Sequence, residues 1–306
     1  MNVNKKRGGE NMYYSPLRYP GGKAKLAQFM EFIIKAKGLE GGTYIEPFAG
    51  GAGIAVELLL RDVVSRIVIN DYDKGIWSFW KSILTEKQRF ISAIRTVPLT
   101  ITEWEKQRDI CLNHNKKYSF ELGFATFYMN RTNRSGIIKG GVIGGLNQTG
   151  KWKIDARFNR ESLISRIENI SLRKKDIFLY NQDITTFIER YMPLYADKAM
   201  IYFDPPYFKK GKQLYMNFFE LEDHERIERV IRKSVECDWI VTYDNAPEIR
   251  EIYALYPMRL YDLNYSVSKK YRTSELMFFK SESLIPKNEI LNQNCININL
   301  REWSQN

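Results

Sequence analysis

Side chains that bind metals or carry redox chemistry are scarce in this chain: its 306 residues include two histidines, His114 and His224, and three cysteines, Cys111, Cys237 and Cys295. The cysteines are odd in number, far apart and without a CxxC pair, which argues against a disulfide framework and a structural zinc site. A reduced, intracellular (cytoplasmic), metal-free protein is expected. Eighteen apolar residues never run together, and the start, MNVNKKRGGENM, lacks the apolar stretch of a secretory leader, so neither membrane spanning nor secretion is expected. Negative charge is also short: 36 Asp and Glu face 47 Lys and Arg, giving a net charge of +11 and a pI near 9.3. That excess favours a polyanionic partner, either nucleic acid or an anionic membrane surface. A ribosomal-type binder shares the property, so charge alone does not assign an activity.

Phosphate-cradling motifs are absent as well. The turn FAGGAG invites a dinucleotide reading, but counting GxGxxG from Gly51 puts the third glycine at Val56; the GK pair Gly22–Lys23 is followed by Ala24 instead of Ser or Thr.

The chain does contain a repeated alternation of strand and helix signals. KAKLAQFMEFIIKAKG places Leu26, Phe29, Met30, Ile33 and Ile34 on one helical face. TYIEPF then reads as a strand, FAGGAG as a turn, IAVELLL as a buried helix and RIVIND as a second strand, the pattern of a parallel sheet with crossover helices. Residues 74–160 lack clear strands and carry helical stretches and a glycine-rich basic loop. DIFLYNQDI, AMIYFD and DWIVTYD resume the strands, and HERIERVIRKSV is a helix with Ile227, Val230, Ile231 and Val235 on one face. The expected fold is an α/β, Rossmann-like sheet formed by residues 13–73 and 161–285, with 74–160 as an inserted, mainly helical domain. Segments 1–12 and 286–306 read as tails, the second polar and irregular.

Asp71 ends the second strand about twenty residues after the glycines, where an acidic side chain accepts hydrogen bonds from ribose hydroxyls. A nucleoside cofactor without a pyrophosphate satisfies both features, and S-adenosylmethionine (SAM) is such a ligand. Phe48, Gly50, Gly51 and Gly53 of the turn are therefore candidate cofactor-binding residues. Upstream, RYPGGK sets Tyr19 and Lys23 around a turn, suited to an aromatic contact and a cation near the cofactor carboxylate. The alternative is purely structural: glycines that permit close helix packing and an Asp71 that caps a helix.

The segment IYFDPPYF poses the chemical question. Proline donates no backbone hydrogen bond and fixes its own φ, so the strand must stop at Pro205 and leave Asp204 at its carboxyl end, where open α/β sheets bind ligands. Asp204 offers a carboxylate oxygen, and the carbonyl of Pro205, restricted by Pro206, offers a second acceptor; together they suit an exocyclic amino group whose lone pair must leave ring conjugation to react. Tyr207 adds an aromatic face for a base swung out of a duplex.

In these motifs the chain resembles the Dam-like DNA adenine methyltransferases. The resemblance covers most of residues 13–280 in motif order: SPLRYPGGK, EPFAGGAG, NDYD, FYMNRTNRSG, GKWKIDARFN, NQDI, DPPYF and YSVSKKYRTSEL. It implies SAM as cofactor, with Tyr19, Lys23, Asp71 and Asp183 lining its site and Asp183 near the adenine; Asp204 to Tyr207 hold the target, Asp204 also bordering the cofactor. It further implies double-stranded DNA as partner, a bacterial, phage or mobile-element origin, a monomer or weak dimer, and the option of a cognate restriction endonuclease. Within 128–160, Arg131, Asn133, Arg134, Lys139, Asn147 and Gln148 are candidate base readers or phosphate contacts, and Lys269, Lys270 and Arg272 of SKKYR are candidate backbone contacts. The rival readings are a SAM-dependent amino-methyltransferase acting on RNA or protein, and a catalytically silent DNA-binding relative. A cytosine carbon-five methyltransferase is excluded, because no cysteine lies in a Pro-Cys motif or near a glycine turn.

Overall fold

The computed structural model describes residues 14–18, 26–114, 117–209, 219–262 and 274–303. Tyr19, Lys23, Lys269, Lys270 and Arg272 lie outside these described residues. Within them, eight strands form one sheet in the order β3-β2-β1-β4-β5-β7-β6-β8. The strands are β1 (Thr43–Glu46), β2 (Arg66–Asn70), β3 (Ile177–Tyr180), β4 (Ala199–Phe203), β5 (Asp238–Asp244), β6 (Met258–Tyr261), β7 (Glu275–Phe279) and β8 (Leu300–Arg301). The first five run parallel, while β7 is antiparallel to both β5 and β6. From β1 the chain builds outward through β2 and β3, then returns to place β4 on the other side of β1. The carboxyl ends of β1 and β4 therefore flank the topological switch point, where such sheets bind ligands.

Side-chain alternation along the strands divides the core between two faces. Tyr44, Ile67, Ile69, Met200 and Tyr202 face one apolar cluster, and Ile45, Val68, Ile201 and Phe203 face the other. The first cluster takes the apolar face of helix α1 (Leu26–Ala36), whose Leu26, Phe29, Met30, Ile33 and Ile34 are all buried. The second takes Ile227 and Ile231 of the helix Leu221–Ser234 and Val235 just after it, with Val230 only partly buried.

The segment between β2 and β3 is helical as expected, with α3 (Lys74–Thr85), α4 (Lys87–Thr96), α5 (Ile101–Leu112), α6 (Phe120–Thr132) and α7 (Arg160–Leu172). Asp73, Thr100 and Ser119 cap α3, α5 and α6 by accepting first-turn amides. Gly123 lets α6 lie close to α3: a β-carbon there would sit 2.5 Å from the Ser78 carbonyl oxygen. An aromatic cluster of Phe79, Phe90, Phe124, Phe127 and Phe158 fills the interior and is continuous with the core over α1 and the sheet. Residues 74–160 thus share a core with the sheet rather than having one of their own.

The C-terminal stretch departs from the expected irregular tail. Residues Asn288–Gln293 form a helix, β8 pairs with β6, and Leu291, Ile296, Ile298 and Leu300 are buried. The apolar residues are spaced too irregularly for either simple period, so the pattern is hidden in the sequence.

Candidate active site

A cavity of about 580 Å³ opens at the carboxyl edge of the sheet. Its lining includes Phe48 and Gly50 after β1, Asp71 after β2, Asp183 after β3 and Asp204 and Pro206 after β4. The insertion closes another side with Thr126, Asn130 and Lys139. Of the proposed cofactor residues, Gly51 and Gly53 do not line it.

The glycine turn is gripped from several directions. Asp71 accepts the Gly50 amide through Oδ2 (2.8 Å) and the Asp73 amide through Oδ1 (2.9 Å). The Trp80 indole of α3 donates to the Gly50 carbonyl at 2.9 Å, and the Ser15 hydroxyl donates to the Gly51 carbonyl. Glu46, at the end of β1, accepts the Ala55 amide at 3.0 Å in the first turn of α2 (Gly53–Leu60). A carboxylate of the chain thus already meets the helix end that a phosphate occupies in dinucleotide folds, which gives a structural reason for the failed phosphate motif. Gly53 has only the role of starting this helix in the described contacts.

Asn70, not singled out in the sequence, ties three strand ends together. Its amide donates to the carbonyls of Pro47 (3.1 Å) and Gln182 (3.2 Å), and its oxygen accepts the Gln182 amide (2.9 Å). These partners are 23 and 112 residues away in sequence, beyond any local motif.

Electrostatics separate the two cofactor-side carboxylates. Burial and then the neighbouring Asp73 carboxylate push Asp71 up to about 7, against the lowering effect of the Asp73 and Gly50 amides. Burial also acts to raise Asp183, but the hydroxyl and amide of Thr186 and the amide of Thr185 outweigh it and hold the group below its ordinary value. Asp183 caps the short helical turn at residues 184–186 by accepting the Thr186 amide at 3.1 Å.

The DPPY loop is braced from β5 and β7. Thr242 donates to Asp204 Oδ1 at 3.3 Å and its hydroxyl also meets the Tyr202 hydroxyl at 2.7 Å. Beyond the prolines, Asp244 accepts the Phe208 and Lys209 amides, each at 2.9 Å. The Tyr207 ring does not line the cavity; it is buried, and its hydroxyl donates to Glu275 Oε1 at 2.7 Å while Tyr261 bonds Oε2 at 2.5 Å. The ring therefore does not present the open aromatic face expected from the sequence. Pro205 is buried and Pro206 borders the cavity.

The proposed DNA readers divide sharply. Asn133 is fully buried and spends its side chain internally: its oxygen accepts the Trp104 indole (2.7 Å) and its amide donates to the carbonyls of Ile137 and Ile138 (both 2.9 Å). Gln148 likewise donates to Ile143 and Gly145 and accepts the Ile154 amide. Both fold their loop, and neither presents a base-reading amide; Arg131, 8% exposed, is also interior. Arg134, Lys139 and Asn147 are exposed. Beside them stand Lys151, Lys153 and two apolar side chains missed in the sequence, Leu146 and Trp152, which are 61% and 65% exposed.

A relative from Methanocaldococcus jannaschii, named Type II methyltransferase M.MjaIII, is 27% identical over 206 residues, covering 62% of this chain and 68% of that protein. Among solved structures, similarity extends to a putative methyltransferase, yhhF, from Escherichia coli (8% identity, 87% of this chain and 91% of that chain, TM-score 0.33). It also extends to the rRNA methyltransferase aviRa from Streptomyces viridochromogenes (10% identity, 87% and 88% coverage, TM-score 0.33). The family model for D12 class N6 adenine-specific DNA methyltransferases matches residues 19–268, most of the chain, and the protein belongs to that family.

Proposed function

We propose that this chain transfers a methyl group from SAM to the exocyclic nitrogen of an adenine swung out of duplex DNA into the cavity. One observation carries the reading: Asp204 and Pro206 of the DPPY loop share a 580 Å³ cavity with Phe48, Gly50, Asp71 and Asp183. The residues present suit a nucleoside cofactor, since the Asp71 carboxylate has lone pairs beyond the two backbone amides it accepts and Glu46 meets the helix end where a pyrophosphate would compete. Bound there, SAM supplies a methyl group activated by its sulfonium.

The chain's own part is positioning. Asp204, oriented by the Thr242 hydroxyl, and the Pro205 carbonyl accept hydrogen bonds from the amino group, favouring a pyramidal nitrogen with its lone pair aimed at the methyl. The buried Tyr207 stiffens this loop through Glu275, and any stacking on the base requires its ring to become accessible when DNA binds. Arg134, Lys139, Lys151 and Lys153 are suited to the DNA backbone, and Leu146 and Trp152 to apolar contact with bases. In this reading residues 74–160 form the target-recognition part. The Type II name of the M. jannaschii relative supports a place beside a cognate restriction endonuclease.

The test is single-turnover transfer of labelled methyl from SAM to mixed-sequence duplex DNA. Wild type should yield N6-methyladenine, and Asp204→Ala should be slower by roughly a hundredfold to a thousandfold, the usual effect of losing one preorganised polar group. A folded, SAM-saturated Asp204→Ala protein within about tenfold of wild type would refute the assignment.

A further inference from the structure

Arg18, Arg157 and Arg166 lie within electrostatic reach of Arg131 around the end of α6, where Asn130 and Asn133 also hold Arg18. Arg131 lies in the last turn of α6 and is only 8% exposed. Arg18 and Arg166 are half-buried, and Arg157 is exposed, so the cluster runs from the surface to the interior. Among the described residues, none of the four forms an ion pair with a carboxylate. Arg18 donates to the Asn133 carbonyl at 3.0 Å and Arg166 to the Ser15 carbonyl at 3.0 Å, while the buried Nε of Arg131 has no partner. Burial, and after it Arg166, Arg18 and Arg157, push the Arg131 guanidinium down to about 9.

Such an arrangement is costly without a counter-charge, because an unpaired buried cation loses its hydration and is repelled by its neighbours. The chain nevertheless builds it with care. Asn130 clamps the Arg18 backbone, accepting its amide (2.7 Å) and donating to its carbonyl (2.7 Å). Gly136 makes the close approach possible, since at φ 78° a β-carbon would lie 2.7 Å from the Arg18 carbonyl oxygen.

We propose that Arg18, Arg131, Arg157 and Arg166 form a socket for one backbone phosphate of the DNA substrate, on the strand whose adenine enters the cavity. None of the four lines the cavity, so the anion is not the carboxylate of a cofactor held there. Asn130 and Gly136 to Ile138 line the cavity, while Asn130 and Asn133 hold Arg18 by its backbone and guanidinium and Arg131 follows Asn130 in α6, which sets the phosphate close to the base being held. Guanidinium groups suit a phosphate through charge-assisted, two-pronged hydrogen bonds. The inference rests on the DNA reading above.

The experiment measures DNA binding against salt, together with thermal unfolding without DNA, for wild type, Arg131→Met, Arg157→Gln and Arg166→Gln. If wild type fails to methylate DNA, the DNA reading itself has failed. If wild type methylates DNA, the socket predicts that each variant lowers the slope of log affinity against log salt by up to about 0.9, the contribution of one phosphate. Arg131→Met should keep or raise the melting temperature in chloride buffer, because it removes an uncompensated buried charge. A single neutral methylphosphonate scanned along the DNA should weaken wild-type binding at one position and leave the Arg131→Met protein indifferent there. Unchanged slopes in folded Arg157→Gln and Arg166→Gln proteins would overturn the socket. So would an Arg131→Met melting temperature lowered in chloride, which would make the arginine structural. Inorganic phosphate that stabilises wild type over Arg131→Met, with no change in any DNA slope, would assign the site to a free anion and also overturn it.

Discussion

Asp244 braces the DPPY loop from β5 just beyond Tyr207, and Asp244→Asn isolates that brace. The aspartate is 8% exposed at the end of β5 and accepts the amides of Phe208 and Lys209, both at 2.9 Å. Asparagine keeps the shape but has one acceptor oxygen, so one amide would face an NH2 donor. Hydrogen bonds to an ionised acceptor are worth about 1.5–3 kcal/mol, so losing one of the pair disfavours the aligned loop by about 2 kcal/mol. At about 1.36 kcal/mol per decade, single-turnover methyl transfer should slow by roughly ten- to thirtyfold. The cofactor side of the cavity, around Phe48, Gly50 and Asp71, does not touch this brace, so SAM affinity measured by calorimetry should move by less than about threefold, well under the change in rate. A folded Asp244→Asn protein with a single-turnover rate within about twofold of wild type would show that the loop is held without it. Equal losses in SAM affinity and rate would place Asp244 on the cofactor side and refute the positioning role in another way.

Asp71 makes stability and cofactor binding depend on pH with opposite signs. Its carboxyl is raised in the folded protein to about 7, so the folded state holds the proton more tightly and its stability should fall as pH rises from about 4 through 7. SAM affinity should rise between pH 6 and 8 as the carboxylate becomes a better acceptor, and Asp71→Asn should flatten both trends in denaturant titrations and calorimetry. Trp152→Ala should leave thermal stability within about 0.5 kcal/mol, as for an exposed site, yet weaken DNA binding by roughly tenfold or more, the scale of one lost stacked base; unchanged affinity in a binding isotherm would remove Trp152 from the DNA face.

The parts of this protein that were legible in the sequence are those governed by local chemistry. Prolines must end β4 after Phe203, and the helix α1 must turn its 3–4 spaced apolar side chains inward, whatever the rest of the chain does. The braces were not legible, because Tyr207 and Glu275 are 68 residues apart and Asn70 and Gln182 are 112 apart, and no local pattern marks either pair. Strands β6 and β7 were missed for a related reason: they are an antiparallel extension added after the parallel pattern ends, where no crossover helix announces the next strand.

Arginine and asparagine in NRTNRSG show the limit from the other direction. In sequence, Asn133 and Arg134 are equally polar and equally suited to DNA, yet Asn133 is sealed inside its loop and Arg134 is exposed. What separates them is a left-handed residue, Ser135 at φ 56°, followed by Gly136 at φ 78°, which turns the chain so sharply that the asparagine side chain bonds the backbone of its own loop at Ile137 and Ile138. The same turn brings Arg18 against Gly136. A motif that reads as a row of DNA contacts therefore acts first as a turn: it seals one amide inside, presents one cation outside, and sets Arg18 against the wall of the cavity.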